Sequence, residues 1–429
     1  MHHRFKLVIV TLSTILLATL MIGTLLGGSE DTQDAYRHFA VYTEVISRIK
    51  SDYVEEPDMK SVTLGALNGL LESVDPYASY LSADQYKQYL ANKSAKNAAT
   101  GLILSRRFGY VGVVDAIPGS PADKAGLSTG DVLETIAGVA TRDMPLAYAE
   151  LLLEGAPGTT IELTVMRVRR GTEATKVALI REPLKLPALT AEMKGDGVAL
   201  IKVPSLEAGK SRQVAAKLAE LTKQGAQKLV LDLRHNAYGD AAEGVALANL
   251  FLDKGLIAYL QGQKHPKQEF NADAAKAVWK QPVVVLANRG TAGGAEIAAN
   301  ALGEAKRAEV VGERTYGDAA LRKALTMDDG SAVILSVAKY YGSGGKSIQD
   351  NGVTPTVPVA EQDASADDDE TETTPAPAPT GEDRQLKTAI EVLVKGKAGI
   401  AQATPAAPGA PSAVKPGPTT LGVPPAPPK

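Results

Sequence analysis

Residues 283–302 read VVVLANRGTAGGAEIAANAL and contain a strand, a turn and a helix that decide the fold class. The run of apolar residues at the start is too short for a core helix, so it indicates a strand with both faces buried. The glycines predict a tight turn, and the alanine-rich segment from Glu296 to about Leu302 predicts a helix. A second buried strand is predicted at Lys228–Arg234. Since strands and helices alternate from about residue 186 to 359, we expect an α/β core with helices packed on a sheet.

A β-rich domain precedes this core, because residues 97–182 consist of short apolar runs separated by Pro-Gly and Gly-Asp turns. Within it, residues 113–139, VVDAIPGSPADKAGLSTGDVLETIAGV, resemble a PDZ domain. PDZ domains bind an extended peptide as an added strand and capture its terminal carboxylate with backbone N–H groups of a glycine loop. The resemblance implies that this loop contains the peptide-binding residues Gly101, Leu102, Ile103 and Leu104. Ile103 stands where relatives usually have a second glycine, which weakens the expectation of peptide binding.

The N-terminus has the pattern of a membrane anchor. Arg4 and Lys6 precede an uncharged apolar run from Leu7 to about Gly28, which is long enough to span a bilayer as a helix. The run lacks the small-x-small cleavage site of a secretory signal peptide, so we favour an uncleaved anchor over a cleaved one. The positive-inside rule then predicts a single-pass protein of the inner (cytoplasmic) membrane, with the bulk of the chain on the periplasmic side.

The remaining segments complete a multidomain organisation. Apolar residues at three- and four-residue steps predict a small helical domain after the anchor. The acidic, proline-rich composition that follows the core predicts a disordered linker and tail, with one short amphipathic piece from Arg384 to Val394. The predicted parts are a transmembrane signal anchor at 1–30, a helical domain at 31–96, the PDZ domain at 97–182, the α/β core at 183–360, and the linker, short helix and Pro/Ala-rich tail at 361–429.

Composition excludes several classes of function. The 429 residues carry a formal net charge of only -3 and their basic residues are scattered, so we expect no nucleic-acid partner. The absence of cysteine excludes disulfides, thiolate metal sites and a cysteine nucleophile. No His/Asp/Glu cluster has the spacing of metal ligands, so we expect neither a metal nor a cofactor.

Four motifs of the core indicate a family. They are LVLDLRHNAYG at 229–239, VLANRGTAGGAEIAANAL at 285–302, RAEVVGERTYGDAAL at 307–321 and AKYYGSGGKSIQDNGVTP at 338–355. With these motifs, the arrangement of anchor, helices, PDZ domain and core resembles the carboxy-terminal processing (tail-specific) proteases from about residue 35 to 395. That resemblance implies a serine nucleophile on the turn into a helix and a lysine as its general base.

The same motifs lack the residues that would perform the chemistry. Where the family pattern has its serine, this chain has Gly293, and where the pattern has its lysine, it has Asp318. The glutamine that orients the lysine corresponds to Arg322, and we expect an Asp318–Arg322 ion pair if that segment is helical. In the oxyanion loop Tyr238, beside Gly239, replaces a glycine, at a point where the backbone approaches the substrate closely.

Other residues offer alternative chemistry, and each has a simpler structural explanation. Thr291 lies two positions before Gly293, but a hydroxyl at the start of a helix commonly satisfies backbone N–H groups. His235 suggests a Ser-His-Asp arrangement, yet no serine motif accompanies it, and we interpret it as a solvated loop residue. Lys339, Lys346 and Ser347 are interpreted as surface or loop residues.

Two functions from different classes remain open. One is a polypeptide-binding adaptor or regulator, a member of a serine-type peptidase family without peptidase activity of its own. Its partners would be polypeptide C-termini or an active protease. The other is an active serine-type endopeptidase that cleaves C-terminal tails of exported proteins with an unrecognised nucleophile.

Overall fold

The computed structural model describes residues 30–94, 98–107, 109–167, 173–361 and 383–396. The chain divides into two compact units, one ending at Val74 and the other beginning at Asp75. The apolar N-terminal run, the acidic linker and the Pro/Ala-rich tail of the sequence analysis lie outside the described residues. None of the helices described within these ranges is both long and apolar enough to cross a membrane.

The described residues of the first unit form two helices, α1 (Glu30–Asp52) and α2 (Met59–Val74). Helix α2 ends immediately before Asp75-Pro76, as predicted, because a proline disfavours helical backbone in the residue that precedes it.

The second unit begins with β1 and α3, which the sequence analysis grouped with the N-terminal helices. Strand β1 pairs antiparallel with a strand more than 250 residues further along the chain, through Ser79 and Ile334 among others. The pairing puts β1 in an antiparallel sheet of order β1-β16-β11-β12, with β15 also paired to β16. The elements are β1 (Ser79–Leu81), α3 (Ala83–Ser94), β11 (Leu256–Gly262), β12 (His265–Asn271), β15 (Ala320–Thr326) and β16 (Ala332–Tyr341).

The predicted β-rich domain is an antiparallel sheet of order β2-β3-β4-β6-β7, with the short β5 paired to β4. Its core consists of alternating strand residues, such as Ile161 and Leu163, packed together with helix residues that include Ala149. The elements are β2 (Leu102–Arg107), β3 (Tyr110–Ala116), α4 (Pro121–Lys124), β4 (Val132–Ile136), β5 (Val139–Ala140), α5 (Leu146–Leu153), β6 (Thr160–Met166) and β7 (Ala174–Ile180).

The α/β core is built on a third sheet, of order β17-β14-β13-β10-β9-β8, in which only β8 runs antiparallel. The two buried strands and the alanine-rich helix of the sequence analysis begin and end within a few residues of the predicted positions. The elements are β8 (Thr190–Gly195), β9 (Val198–Lys202), α6 (Lys210–Lys223), β10 (Lys228–Asp232), α7 (Ala241–Asn249), β13 (Val283–Ala287), α8 (Gly294–Glu304), β14 (Ala308–Gly312) and β17 (Val357–Pro358), with a short 3-10 helix at Ala274–Lys276.

The central strands are buried on both faces, which explains why they are apolar without alternation. In β10, Leu229 and Leu231 point into the layer that contains α6, α7 and α8, whereas Val230 points into the opposite layer. All five residues of β13 are buried for the same reason.

The opposite face of this sheet is covered by α9 (Arg384–Lys395), the short helix that the sequence analysis grouped with the tail. Ala389 and Val392 of this helix are buried against Val230 and Leu286 of the sheet. The helix therefore packs as part of the core, although its sequence is separated from the core by the acidic linker.

Candidate functional site

The turn at Gly293 connects β13 to α8. Its backbone has φ +62° and ψ -124°, a conformation that glycine adopts readily and that strains other residues. A Cβ atom built on Gly293 would have the carbonyl oxygen of Asp318 as its nearest neighbour, at 3.8 Å. The fold thus brings the nucleophile position and the base position side by side. We call these two residues and their immediate contacts the Gly293–Asp318 site.

A fully buried carboxylate, Glu296, connects the two halves of this site. It accepts a hydrogen bond from the N–H of Gly293 at 3.1 Å, from the N–H of Gly317 at 2.7 Å and from that of Asp318 at 2.8 Å. The hydroxyl of Thr315 donates a fourth. Burial raises the pKa of Glu296 to about 7, although the hydrogen bonds donated by Thr315, Asp318 and Gly317 act in the opposite direction. Glu296 therefore holds the turn and the base loop together.

Asp318 forms the predicted ion pair with Arg322, but not within a helix. Arg322 lies in strand β15, and its guanidinium donates two hydrogen bonds to the Asp318 carboxylate. The guanidinium also lies over the ring of Tyr77, 4.1 Å from the ring centroid. Asp318 precedes the strand, so the loop rather than a helical turn brings the two charges together. The carboxylate at the base position thus has a cationic partner.

The predicted oxyanion loop lies against the backbone of Leu206. A Cβ atom on Gly239 would lie 2.2 Å from the carbonyl carbon of Leu206, so only glycine fits there. The Leu206 N–H donates to the Tyr238 carbonyl at 2.8 Å, and the Asp240 N–H donates to the Leu206 carbonyl at 2.8 Å. Tyr238 is 45% exposed, so its side chain is partly in contact with solvent. The substitution at 238 is therefore compatible with this backbone path.

The alternative nucleophile has no access to a substrate. Thr291 is fully buried, its hydroxyl donates to the carbonyl of Leu233 at 2.9 Å and it accepts from the N–H of Asn288 at 3.0 Å. Both contacts satisfy backbone groups beside the turn, which is the structural role that the sequence analysis gives to this hydroxyl.

The other candidates for alternative chemistry are loop or surface residues. Lys339 pairs with Asp350 at 2.7 Å, Ser347 donates to a backbone carbonyl within its own loop, and Lys346 is exposed.

His235 lies in a loop and its side chain is 37% exposed, but the interpretation of it as a merely solvated residue is wrong. Its ring lies 3.2 Å from a carboxylate oxygen of Asp115 and 3.2 Å from one of Glu361. Burial lowers the pKa of His235, but the hydrogen bonds to the two carboxylates outweigh this and raise it to about 10. Both partners are distant in sequence, so no local motif reveals them.

Gly101 in the PDZ loop has a φ of +85°, a backbone angle that favours glycine. A Cβ atom there would lie 2.2 Å from Cβ of Ser120, the residue that caps α4. Ile103 has no positive φ and lies in β2, so this backbone does not require the second glycine of relatives. Leu102 is half-buried and Leu104 is buried, and both pack on the core of the domain.

Sequence reasoning missed three residues of the site. Glu296 entered the sequence analysis only as the predicted start of a helix, Thr315 lies within a quoted motif without a role, and Tyr77 lies outside all of the quoted motifs. The signal for Glu296 was available, because a glutamate in an otherwise apolar helix start has to be satisfied by hydrogen bonds when it is buried.

Comparison with known proteins gives matches over both domains. Residues 197–359 match the family model described as Peptidase family S41, and residues 112–167 match that of the PDZ domain. The carboxy-terminal processing protease CtpA of Bacillus subtilis (strain 168) is 30% identical over 364 residues, which cover 83% of this chain and 78% of that protein. The carboxy-terminal-processing protease of Bartonella bacilliformis is 29% identical over 338 residues, covering 78% and 77%.

A solved structure described as photosystem II D1 C-terminal processing protease is similar in fold. It superimposes with a TM-score of 0.63 at 24% sequence identity, over 75% of this chain and 92% of that one. The fold of the PDZ domain and α/β core is therefore shared with that protein.

Proposed function

Since this chain belongs to the carboxy-terminal processing proteases of peptidase family S41, we propose that it is a member without peptidase activity that binds polypeptide C-termini as an adaptor or regulator. The fold of that family is retained around a site that has lost its nucleophile and its base. Binding then remains as the activity that the domains support.

The observation that carries this proposal is the pairing of Asp318 with Arg322 beside Gly293. A serine nucleophile needs a neighbouring group that accepts its proton, and a lysine base works only when its amine is neutral. Gly293 has no side chain, and the Asp318 carboxylate is engaged by a guanidinium. The buried Thr291 hydroxyl supports the same conclusion, because it cannot reach a substrate without unfolding the turn.

The PDZ loop supports the binding part of the proposal. Gly101 gives the loop a positive φ that glycine adopts readily. The half-buried Leu102 on β2 and Leu152 on α5 pack on the domain core. A peptide that adds to β2 would gain backbone hydrogen bonds from the strand and hold its terminal carboxylate at the loop.

Peptides with free and amidated C-termini test this directly. We expect the full-length chain, kept in detergent micelles, to bind a set of peptides with apolar last residues at least tenfold more tightly as free acids than as amides. Calorimetry or fluorescence anisotropy measures both. Equal affinity for the two forms, or no binding of either, would refute the adaptor proposal.

A pair of glycine variants locates the binding. Gly101→Ala places a Cβ atom 2.2 Å from Ser120, so we expect it to displace the loop and abolish the preference for the free acid. Gly119→Ala is the matched control, because Gly119 has a similar positive φ but no neighbour within 4 Å of the added Cβ. Binding that survives in Gly101→Ala would place the peptide elsewhere.

For the location of the protein, we propose that residues 1–30 anchor it in the inner membrane with the rest of the chain in the periplasm. The support is the sequence alone, with Arg4 and Lys6 ahead of an uncharged apolar run. Fractionation of cells that express the full chain or a chain starting at residue 31 behind a cleavable export signal tests it. We expect only the former in the membrane fraction after a high-salt wash, and recovery of both in the soluble fraction would refute the anchor.

A further inference from the structure

His235 brings three distant parts of the chain together around one imidazole ring. Its Nδ1 lies 3.2 Å from Oδ1 of Asp115 on the PDZ strand β3, 120 residues away in sequence. Its Nε2 lies 3.2 Å from Oε1 of Glu361, which follows β17 and is 126 residues away. The ring therefore connects the PDZ domain, the loop after β10 and the end of the core sheet.

The ring also packs against the turn that leads to the Gly293–Asp318 site. The backbone N–H of His235 donates a hydrogen bond to Oδ1 of Asn288 at 3.1 Å. A Cβ atom on Gly290 would lie 3.0 Å from Nδ1 of His235 and 3.2 Å from the carboxylate of Asp115. The PDZ carboxylate, the ring and the turn thus form a seam with no space for a further side chain.

The charges at this seam are complementary. Asp115 is only 5% exposed, and a carboxylate removed from water is costly unless it is paired. Each ring nitrogen of His235 faces a carboxylate, and despite burial the two carboxylates raise the pKa of the ring to about 10, which favours its charged form. The side-chain N–H of Asn288 donates to Oε2 of Glu361 at 3.2 Å, so the amide and the ring contact the same carboxylate.

The neighbouring basic residue does not replace His235 in this role. Arg234 is held at 2.7 Å by Asp232 and at 2.8 Å by Asp383, which caps α9. His235 is thus the cationic group in direct contact with Asp115 among the described residues. On the PDZ side, Asp115 pairs across the strands with Ile103 of the peptide-binding strand β2.

We propose that His235 is an interdomain latch, which fastens the PDZ domain to the α/β core through Asp115 and fixes the peptide-binding strand relative to the Gly293–Asp318 site. Without the ion pair, the buried Asp115 faces the core without a cation and the two domains separate more readily. The histidine's contribution to the latch is fully present below pH 6.5, the ordinary pKa of histidine, as long as Asp115 is ionised, and it is lost as the pH rises through about 10. Protonation of Asp115, whose pKa is raised by burial, weakens the latch at low pH.

Spin-label distances between the two domains test the latch. The chain contains no cysteine, so cysteines introduced at the exposed Val139 of the PDZ domain and Val278 of the core are labelled selectively. We expect a narrow distance distribution for the full-length chain at pH 7 and one at least twice as broad in Asp115→Asn and in His235→Asn. Asparagine tolerates the φ of +55° at position 235 but is too short to reach Asp115.

A control substitution and a pH series separate loss of the latch from general effects of the substitutions. Lys267→Gln breaks an exposed ion pair within β12, 2.6 Å in length, and should leave the distribution as in the parent. The parent itself should broaden between pH 8.5 and 10.5, whether or not the variants fold, and His235→Asn should show no such change. An unchanged distribution in both latch variants, or in the parent across this pH range, would overturn the proposal.

Discussion

Gly293 has a backbone conformation that would be strained for any residue with a side chain. At φ +62° the left-handed region costs an L-residue about 1–3 kcal/mol, while the space around the added Cβ is open to 3.8 Å. We therefore expect Gly293→Ala to lower the free energy of unfolding by about 1–3 kcal/mol through strain alone. Denaturant titration of the full chain measures this.

A second glycine controls for the loss of chain flexibility. Gly344 has no positive φ, and a Cβ atom there would make contacts of 3.5 Å or more. Gly344→Ala should therefore change the free energy of unfolding by less than about 0.5 kcal/mol. Equal costs at the two positions would contradict the assignment of strain to Gly293.

Glu296 should give the stability a measurable dependence on pH. Its pKa rises from 4.5 in the unfolded chain to about 7 in the fold, so the folded state binds the proton more tightly. This contribution is fully present below pH 4.5 and is lost as the pH rises to about 7. We expect Glu296→Gln to remove that share of the pH dependence of the unfolding free energy between pH 5 and 7. A variant that keeps the slope of the parent would contradict it.

The assignment of Gly293 and Asp318 to the nucleophile and base positions rests on a local signal and stays a prediction. Gly293 and Asp318 were found because neighbouring family residues fix the register without gaps. His235 was misjudged because its partners are 120 and 126 residues away. The Asp318–Arg322 pair was expected on a helix, since spacing alone does not distinguish a helical turn from a loop that enters a strand.

Helix α9 is the element whose packing depends most on contacts that the sequence does not reveal. Arg234 binds Asp383 at its start, and these residues are 149 positions apart. The buried face of the helix includes Ala389, which has no exposure, whereas Val394 is 52% exposed. Local composition suggested a short helix and could not show that it covers a sheet.

Two substitutions on the same helix test whether α9 belongs to the core. Ala389→Asp buries a carboxylate without a partner, which we expect to cost about 3–5 kcal/mol of unfolding free energy. Val394→Asp adds the same charge on the exposed side and should cost less than about 1 kcal/mol. Thermal or denaturant unfolding compares them, and equal effects would mean that the helix does not pack on the sheet.

Strands β10 and β13 were predictable because a buried parallel strand has an unmistakable apolar run. The antiparallel sheet around β16 was not, because its strands come from residues near 80, 260 and 335 and their pairing is set by the whole fold. The same long-range pairing places Tyr77 beside Arg322.

Over the whole molecule, the described residues have the PDZ domain and the α/β core of the family. Glu296 connects the turn to the base loop, Gly239 lies close to the backbone of Leu206, and Gly101 has a positive φ in the PDZ loop. Our proposal that the chain binds polypeptides without hydrolysing them rests on the departures from the family pattern at Gly293, Asp318, Arg322 and Tyr238.

Peptide hydrolysis by the purified full-length chain tests the central claim most directly. Mass spectrometry of C-terminal tail peptides, incubated with the parent, with Thr291→Val and with Asp318→Asn, should show no cleavage beyond a protein-free control in any of the three. Turnover by the parent that Thr291→Val or Asp318→Asn abolishes would contradict the claim, because it would mean that this site performs peptidase chemistry without a serine or a lysine.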